Sequence, residues 1–163
     1  MTSIPKRLLS SNQTVEIDFT NNEIENITGS DFAFFPFLDK LDLSFNKISK
    51  LENTTFVKLK NLRSLRLSHN VLQYIEPRTF SYRPGSLLFI DLIGNMLKSV
   101  DVTNVFVGYW MSALYLDHNR ISIFTNQLMS GMENFTRGGD IFMYILEVPL
   151  ILNVVHTDHV PFG

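Results

Sequence analysis

The chain of 163 residues contains no cysteine. This absence excludes disulfide bonds, thiol catalysis and cysteine-ligated zinc within it. The chain also lacks an excess of either charge, because 14 lysines and arginines stand against 16 aspartates and glutamates. A nucleic-acid-binding domain usually carries a basic excess, so the composition predicts no nucleic-acid partner.

Long hydrophobic runs are missing as well. The most apolar stretch, residues 141–155, is interrupted by Glu147, Pro149 and Asn153, and it is shorter than the ~20 residues of a membrane-spanning helix. No apolar run follows Lys6 and Arg7, as a secretory signal would require. We therefore predict no transmembrane segment and no signal peptide, with any membrane association only through a missing part of a parent chain.

An internal repeat dominates what is present. The segments IDFTNNEI, LDLSFNKI, LRLSHNVL, IDLIGNML and LYLDHNRI follow one another at steps of 24 or 25 residues. Four positions around the shared asparagine are apolar in all five segments; at the 45% hydrophobic content of the chain, the chance probability is about 10⁻⁷. The shared asparagines are Asn22, Asn46, Asn70, Asn95 and Asn119.

Each unit predicts one short strand and a turn. The alternation in Leu41-Asp42-Leu43-Ser44 is typical of a strand with one buried face. The asparagine amide carries donors and an acceptor, and we expect it to pair backbone groups in the turn that would otherwise be buried without partners. No single unit can bury its own apolar face, so we expect stacked units with one continuous core.

The pattern is similar to the leucine-rich-repeat family in the 24-residue form common in animal extracellular proteins, including Toll-like receptors and chaoptin-like adhesion proteins. Phe32, Phe56 and Phe80 occupy the conserved phenylalanine position of that form, where Val105 and Met129 stand later. The resemblance implies an α/β-type solenoid, with short parallel strands on the concave face and an irregular or short-helical convex side.

Three segments follow from this register. Residues 1–13 resemble a remnant of the junction with an amino-terminal cap, and residues 14–134 hold the five repeats. Residues 135–163 depart from the pattern, with Gly138 and Gly139 where strand residues of the core belong. Two interpretations of this last segment stay open, a degenerate cap and a tail foreign to the repeats.

The concave face is the default binding surface of a solenoid. Acidic residues dominate its first two repeats, and aromatic and apolar residues its fourth and fifth, where they form a plausible partner contact rimmed by charges. A tail that folds over the apolar part is the competing interpretation. The predicted ligand-binding residues are Asp42, Arg66, Leu88, Phe89, Asp91, Ile93, Tyr115 and Asp117.

Four N-x-S/T sequons are present, at Asn12, Asn26, Asn53 and Asn134. Such sites are glycosylated only in the secretory pathway. Together with the repeat type they favour an extracellular or cell-surface location, although the missing signal peptide leaves a cytoplasmic one open.

No sequence motif indicates catalysis, since G-x-S-x-G, P-loop and H-E-x-x-H patterns are absent. His69 and His118 share a repeat position that indicates a turn, and the pair His156 and His159 has no third ligand nearby. We therefore expect no enzyme, metal, cofactor or small-molecule substrate.

The expected function is a protein-interaction module that binds a protein or a glycan, as part of a receptor, adhesion or matrix ectodomain. The alternatives are an intracellular scaffold of the same fold, the repeat part of a catalytic parent, and a truncated product without independent function.

Overall fold

The computed structural model describes residues 1–5, 14–80, 87–100 and 113–121, and the backbone of 142–144. The strands are β1 (Glu16–Asp18), β2 (Lys40–Asp42), β3 (Lys50–Leu51), β4 (Ser64–Arg66), β5 (Tyr74–Ile75), β6 (Phe89–Asp91), β7 (Ala113–Tyr115) and β8 (Phe142–Tyr144). Outside these strands, the described residues form turns, bends and extended segments, and they contain no helix.

Six of the strands form one parallel sheet in the order β1-β2-β4-β6-β7-β8. Equivalent repeat positions pair across it, so that Leu41 lies opposite Leu65, and Leu65 opposite Ile90. Strands β3 and β5 form a second, two-stranded parallel sheet on the flank. This is the solenoid of short parallel strands that the sequence predicts.

The core lies between the sheet and the returning segments of each repeat. Of the twenty apolar positions that define the register, all nineteen in the described residues are buried; Phe124 lies outside them. Phe32, Phe56 and Phe80 are buried on the returning side, and their rings follow one another at centroid distances of 5.9 Å. One continuous core therefore runs through the stacked repeats.

The asparagines hold adjacent repeats together through their side-chain amides. The Nδ2 group of Asn70 donates to the carbonyl of Leu67 in its own repeat at 3.1 Å and to that of Leu43 in the preceding repeat at 2.9 Å. Its Oδ1 accepts the amide of Ile48 at 2.9 Å. Asn46, Asn95 and Asn119 repeat this arrangement, so each of these amides pairs backbone groups of its own turn and of the preceding repeat.

The sheet continues beyond the fifth repeat. Strand β8 lies in parallel register with β7, with Met143 opposite Leu114. This strand falls within residues 135–163, the segment left open between a degenerate cap and a foreign tail.

Candidate ligand-binding face

The outward side of the six-stranded sheet, called the sheet face below, carries alternate side chains of β1, β2, β4, β6 and β7. The inward residue of each of these strands is buried, whereas Glu16, Asp18, Lys40 and Arg66 are exposed. Because side chains alternate across a strand, the sequence register decides which residues reach this surface.

Four of the predicted ligand-binding residues form a connected row across the sheet face. The Nη1 of Arg66 lies 3.4 Å from the Oδ2 of Asp42, and its guanidinium carbon lies 5.7 Å from the ring centroid of Phe89. The Phe89 ring in turn lies 5.2 Å from that of Tyr115, at an angle of 51°. The tilted ring pair and the neighbouring cation have the geometry of favourable aromatic contacts.

A shallow hollow on the sheet face brings further predicted residues together. Asp91 and Ile93 line it beside the row of Asp42, Arg66, Phe89 and Tyr115. Leu88 does not line it: this residue precedes β6 and is 37% exposed at the edge of the face. Six of the eight predicted residues therefore surround one concavity.

Asp117 was expected to point outward, and its burial corrects that expectation. It is only 8% exposed, and the equivalent residues Ser44 and Ser68 are also buried, whereas Thr20 and Ile93 at the same position are half-exposed. At this repeat position the chain has left the strand and begins its turn, where neighbouring repeats cover one another; the Oγ of Ser68 lies 3.0 Å from that of Ser44. Asp117 therefore offers little surface to a ligand.

Aspartates at the end of the strands have a local structural role that the sequence did not reveal. The Oδ1 of Asp18 accepts the amide of Thr20 at 2.8 Å, and this hydrogen bond holds the pKa of Asp18 below its ordinary value. Asp42 and Asp91 accept the amide two residues ahead at 2.9 and 3.0 Å. Each carboxylate thus closes a turn while it stays on the sheet face.

Phe45 and His69 were not among the predicted binding residues. Phe45 is 51% exposed beside the hollow, and its ring stacks on that of His69 at 4.4 Å and 13°. Both residues have positive φ, as do Asn21, Gly94 and His118 at the same repeat position. The side chains at this position are of four different types, so only the register of the asparagine that follows could have identified Phe45.

The sequons differ in their surroundings. Asn26 and Thr28 are exposed. Asn53 is half-buried, and the Thr55 of its sequon is fully buried, with its hydroxyl accepting the amide of Glu52 at 3.1 Å. Asn12 and Asn134 lie outside the described residues.

The described residues contain no group of three potential metal-ligating side chains. His156 and His159 lie outside them. Within the same part of the chain, no helix is long and apolar enough to cross a membrane.

Comparisons with known proteins bear on the repeats. A leucine-rich-repeat family model matches residues 36–97. The structure of a TLR13–ssRNA13 complex resembles 68% of this chain, with 37% identity and a TM-score of 0.62. The chain belongs to the leucine-rich-repeat family. Proteins of this family generally use the fold to bind partners rather than to catalyse reactions.

Two further leucine-rich-repeat structures share the fold. A Leptospira interrogans leucine-rich-repeat protein matches 75% of the chain with 25% identity and a TM-score of 0.56. The Drosophila Toll–Spatzle complex matches 72% of it with 22% identity and a TM-score of 0.52. No curated protein sequence matches the chain.

The chain spans only a small part of these proteins: 15% of the TLR13 chain, 29% of the Leptospira chain and 20% of the Toll chain. The TLR13 structure supports the Toll-like type of repeat that the sequence resembles. The TLR13 complex contains RNA, so the comparisons do not support the expectation that this chain has no nucleic-acid partner.

Proposed function

We propose that the sheet face binds a protein or glycan ligand, and that this leucine-rich-repeat chain is part of a receptor, adhesion or matrix ectodomain. The observation that carries the proposal is the row of Arg66, Phe89 and Tyr115 on a solvent-facing sheet. Arginine and tyrosine are enriched where few residues supply most of the binding energy of an interface.

The surroundings of this row support the proposal. Asp42 pairs with Arg66, and the half-exposed Ile93 adds apolar area to the same hollow. An apolar and aromatic centre with a charged rim is the usual arrangement of a protein-binding surface. The strands below it hold the row on a regular backbone, so a ligand would meet a largely preformed surface.

A matched pair of variants tests the location of the binding surface. Partners captured by the full chain would be identified, and their affinity measured by surface plasmon resonance. We expect Phe89→Ser and Tyr115→Ser each to weaken binding about tenfold or more. Tyr74→Ser is the control, because Tyr74 is an exposed aromatic residue on the flanking sheet. Equal affinity of all three variants and the wild type would refute the proposal.

The extracellular setting has its own test. The chain would be expressed in animal cells as it stands and behind an added signal peptide, with glycosidase treatment of the product. We expect the signal-fused form to be secreted and to lose mass on deglycosylation. A signal-fused form that is secreted without any glycan would remove the support that the sequons give, and would favour the intracellular scaffold. Aggregation of both forms would favour a truncated product without independent function.

RNA is a second candidate ligand, favoured by the TLR13–ssRNA13 complex among the similar structures. A protein that contacts phosphates loses affinity steeply as salt rises. Titration of the chain with single-stranded RNA at two salt concentrations tests this candidate. Absence of binding at low salt would remove it.

A further inference from the structure

The charges on the sheet face are unevenly paired. Each of its two cations in the described residues, Lys40 and Arg66, has a carboxylate partner in the preceding repeat. Lys40 pairs with Glu16 at 3.4 Å. Arg66 pairs with Asp42 at 3.4 Å. The cations of the face are therefore already balanced by its own anions.

Two carboxylates lie outside this balance. Asp18 and Asp91 each accept a backbone amide, and neither has a cation within ion-pair distance in the described part of the chain. They occupy equivalent positions on β1 and β6, three strand spacings or about 14 Å apart. In the described residues, the face therefore carries a negative excess that its own side chains do not neutralise.

The aromatic residues beside Asp91 suit the same kind of ligand. The approach of Arg66 to the Phe89 ring shows that this surface accommodates a guanidinium against an aromatic side chain. Tyr115 lies opposite Asp91 in the register of β6 and β7. A cation beside an aromatic ring and a carboxylate gains from both contacts.

We infer that the sheet face recognises a basic protein segment, whose lysine or arginine side chains contact the carboxylates and the aromatic rings of the face. This inference rests on the proposed function and specifies the chemistry of its ligand. The cations of the segment would lie near Asp91 and Asp18, and its backbone would run across the strands, from β6 towards β1. A polyanion such as RNA would meet the unbalanced carboxylates and be repelled.

Three probes test the inference on the full chain by fluorescence anisotropy. They are a labelled peptide of alternating arginine and glycine, a glutamate–glycine peptide of the same length, and single-stranded oligouridylate. We expect only the basic peptide to bind, with an affinity that falls as salt rises.

Charge-removing variants locate the contact. Asp18→Asn and Asp91→Asn keep an oxygen that can accept the same backbone amide, so the turns are preserved while the charge is removed. We expect each to weaken binding of the basic peptide about threefold, as for an exposed ion pair, and both together about tenfold. Glu25→Gln with Asp31→Asn is the control, because it removes two charges away from the sheet face; it should leave the affinity unchanged.

The outcomes separate the inference from the proposed function. Failure of the basic peptide to bind at low salt would overturn the inference. So would a loss of affinity in the Glu25→Gln, Asp31→Asn control equal to that in the Asp18→Asn, Asp91→Asn variant. Binding of the acidic peptide or of oligouridylate that Phe89→Ser abolishes would also overturn it, while the sheet face would stand as the binding surface. Basic-peptide binding that neither the aspartate variants nor Phe89→Ser affects would count against both.

Discussion

Asn46, Asn70, Asn95 and Asn119 link adjacent repeats and are called the asparagine ladder below. Replacement of Asn70 by alanine tests their contribution to stability most directly. Asn70 is 4% exposed and links its own repeat to the preceding one. Two of the carbonyls that it contacts keep another donor, because Leu43 also accepts from Asn46 and Leu67 from Asn95. The amide of Ile48, in contrast, donates only to the Oδ1 of Asn70 in the described structure.

The expected loss of stability follows from the hydrogen bonds that Asn70→Ala would remove. A buried amide that loses its acceptor costs about 1–3 kcal/mol. The lost donors of Asn70 and the small void add to this, so we expect Asn70→Ala to lower the free energy of unfolding by about 3 kcal/mol. Urea unfolding followed by circular dichroism measures the difference.

Asn22→Ala is the matched control. Asn22 has the same repeat position, but its side chain in the described residues bonds only within its own turn, to the carbonyls of Phe19 at 3.2 Å and Thr20 at 3.0 Å. It is also only half-buried. We expect a loss of about 1 kcal/mol. Equal losses in Asn22→Ala and Asn70→Ala would refute the reasoning, because the contacts to the preceding repeat would then contribute nothing.

Three further predictions concern other features. Gly94→Ala should cost about 1–2 kcal/mol, because Gly94 has φ +67° and an added Cβ would lie 2.6 Å from the Nδ1 of His69; the loss in thermal unfolding should shrink in a His69→Ala background, and an unchanged loss would exclude the clash. Lys50 and the backbone amide of Asn53 hold the pKa of Glu76 below its ordinary 4.5, so Glu76 stabilises the fold above that pH and less as pH falls. The stability difference between wild type and Glu76→Gln should therefore narrow in acid, and a constant difference would contradict this. In the signal-fused form, Asn26→Gln should remove one glycan on gel analysis, since Asn26 is exposed; unchanged mobility would refute use of this site.

The fold was predictable because the same pattern of buried and exposed positions occurs in five repeats. Apolar residues at one register position have to face the core in every repeat, so Leu41, Leu65 and Ile90 support one another as evidence for a strand. The turn asparagine was predictable for a similar reason, because an amide at the same position in all five repeats points to a bond that each repeat needs.

The candidate site was predictable only in part. The two-residue alternation of the strands places Arg66, Phe89 and Tyr115 on the outward face, and the structure brings them together. Alternation fails once the chain leaves the strand, which is why the burial of Asp117 was missed. Phe45 escaped notice because a positive φ is unusual for a bulky side chain and depends on the turn rather than on residue type.

The asparagine ladder also bears on how such a chain can change in length during evolution. The Oδ1 atoms of Asn46, Asn70, Asn95 and Asn119 each accept a backbone amide of the preceding repeat, and every non-proline residue carries that amide. This hydrogen bond between repeats is therefore largely independent of the neighbouring side chains, as long as the apolar positions of the core stay in register. Duplication or deletion of one whole unit would leave this hydrogen bond intact, while the order of charges and rings on the outward strands would be reshuffled. Genetic recombination between repeats could thus generate new binding surfaces while the fold stays the same.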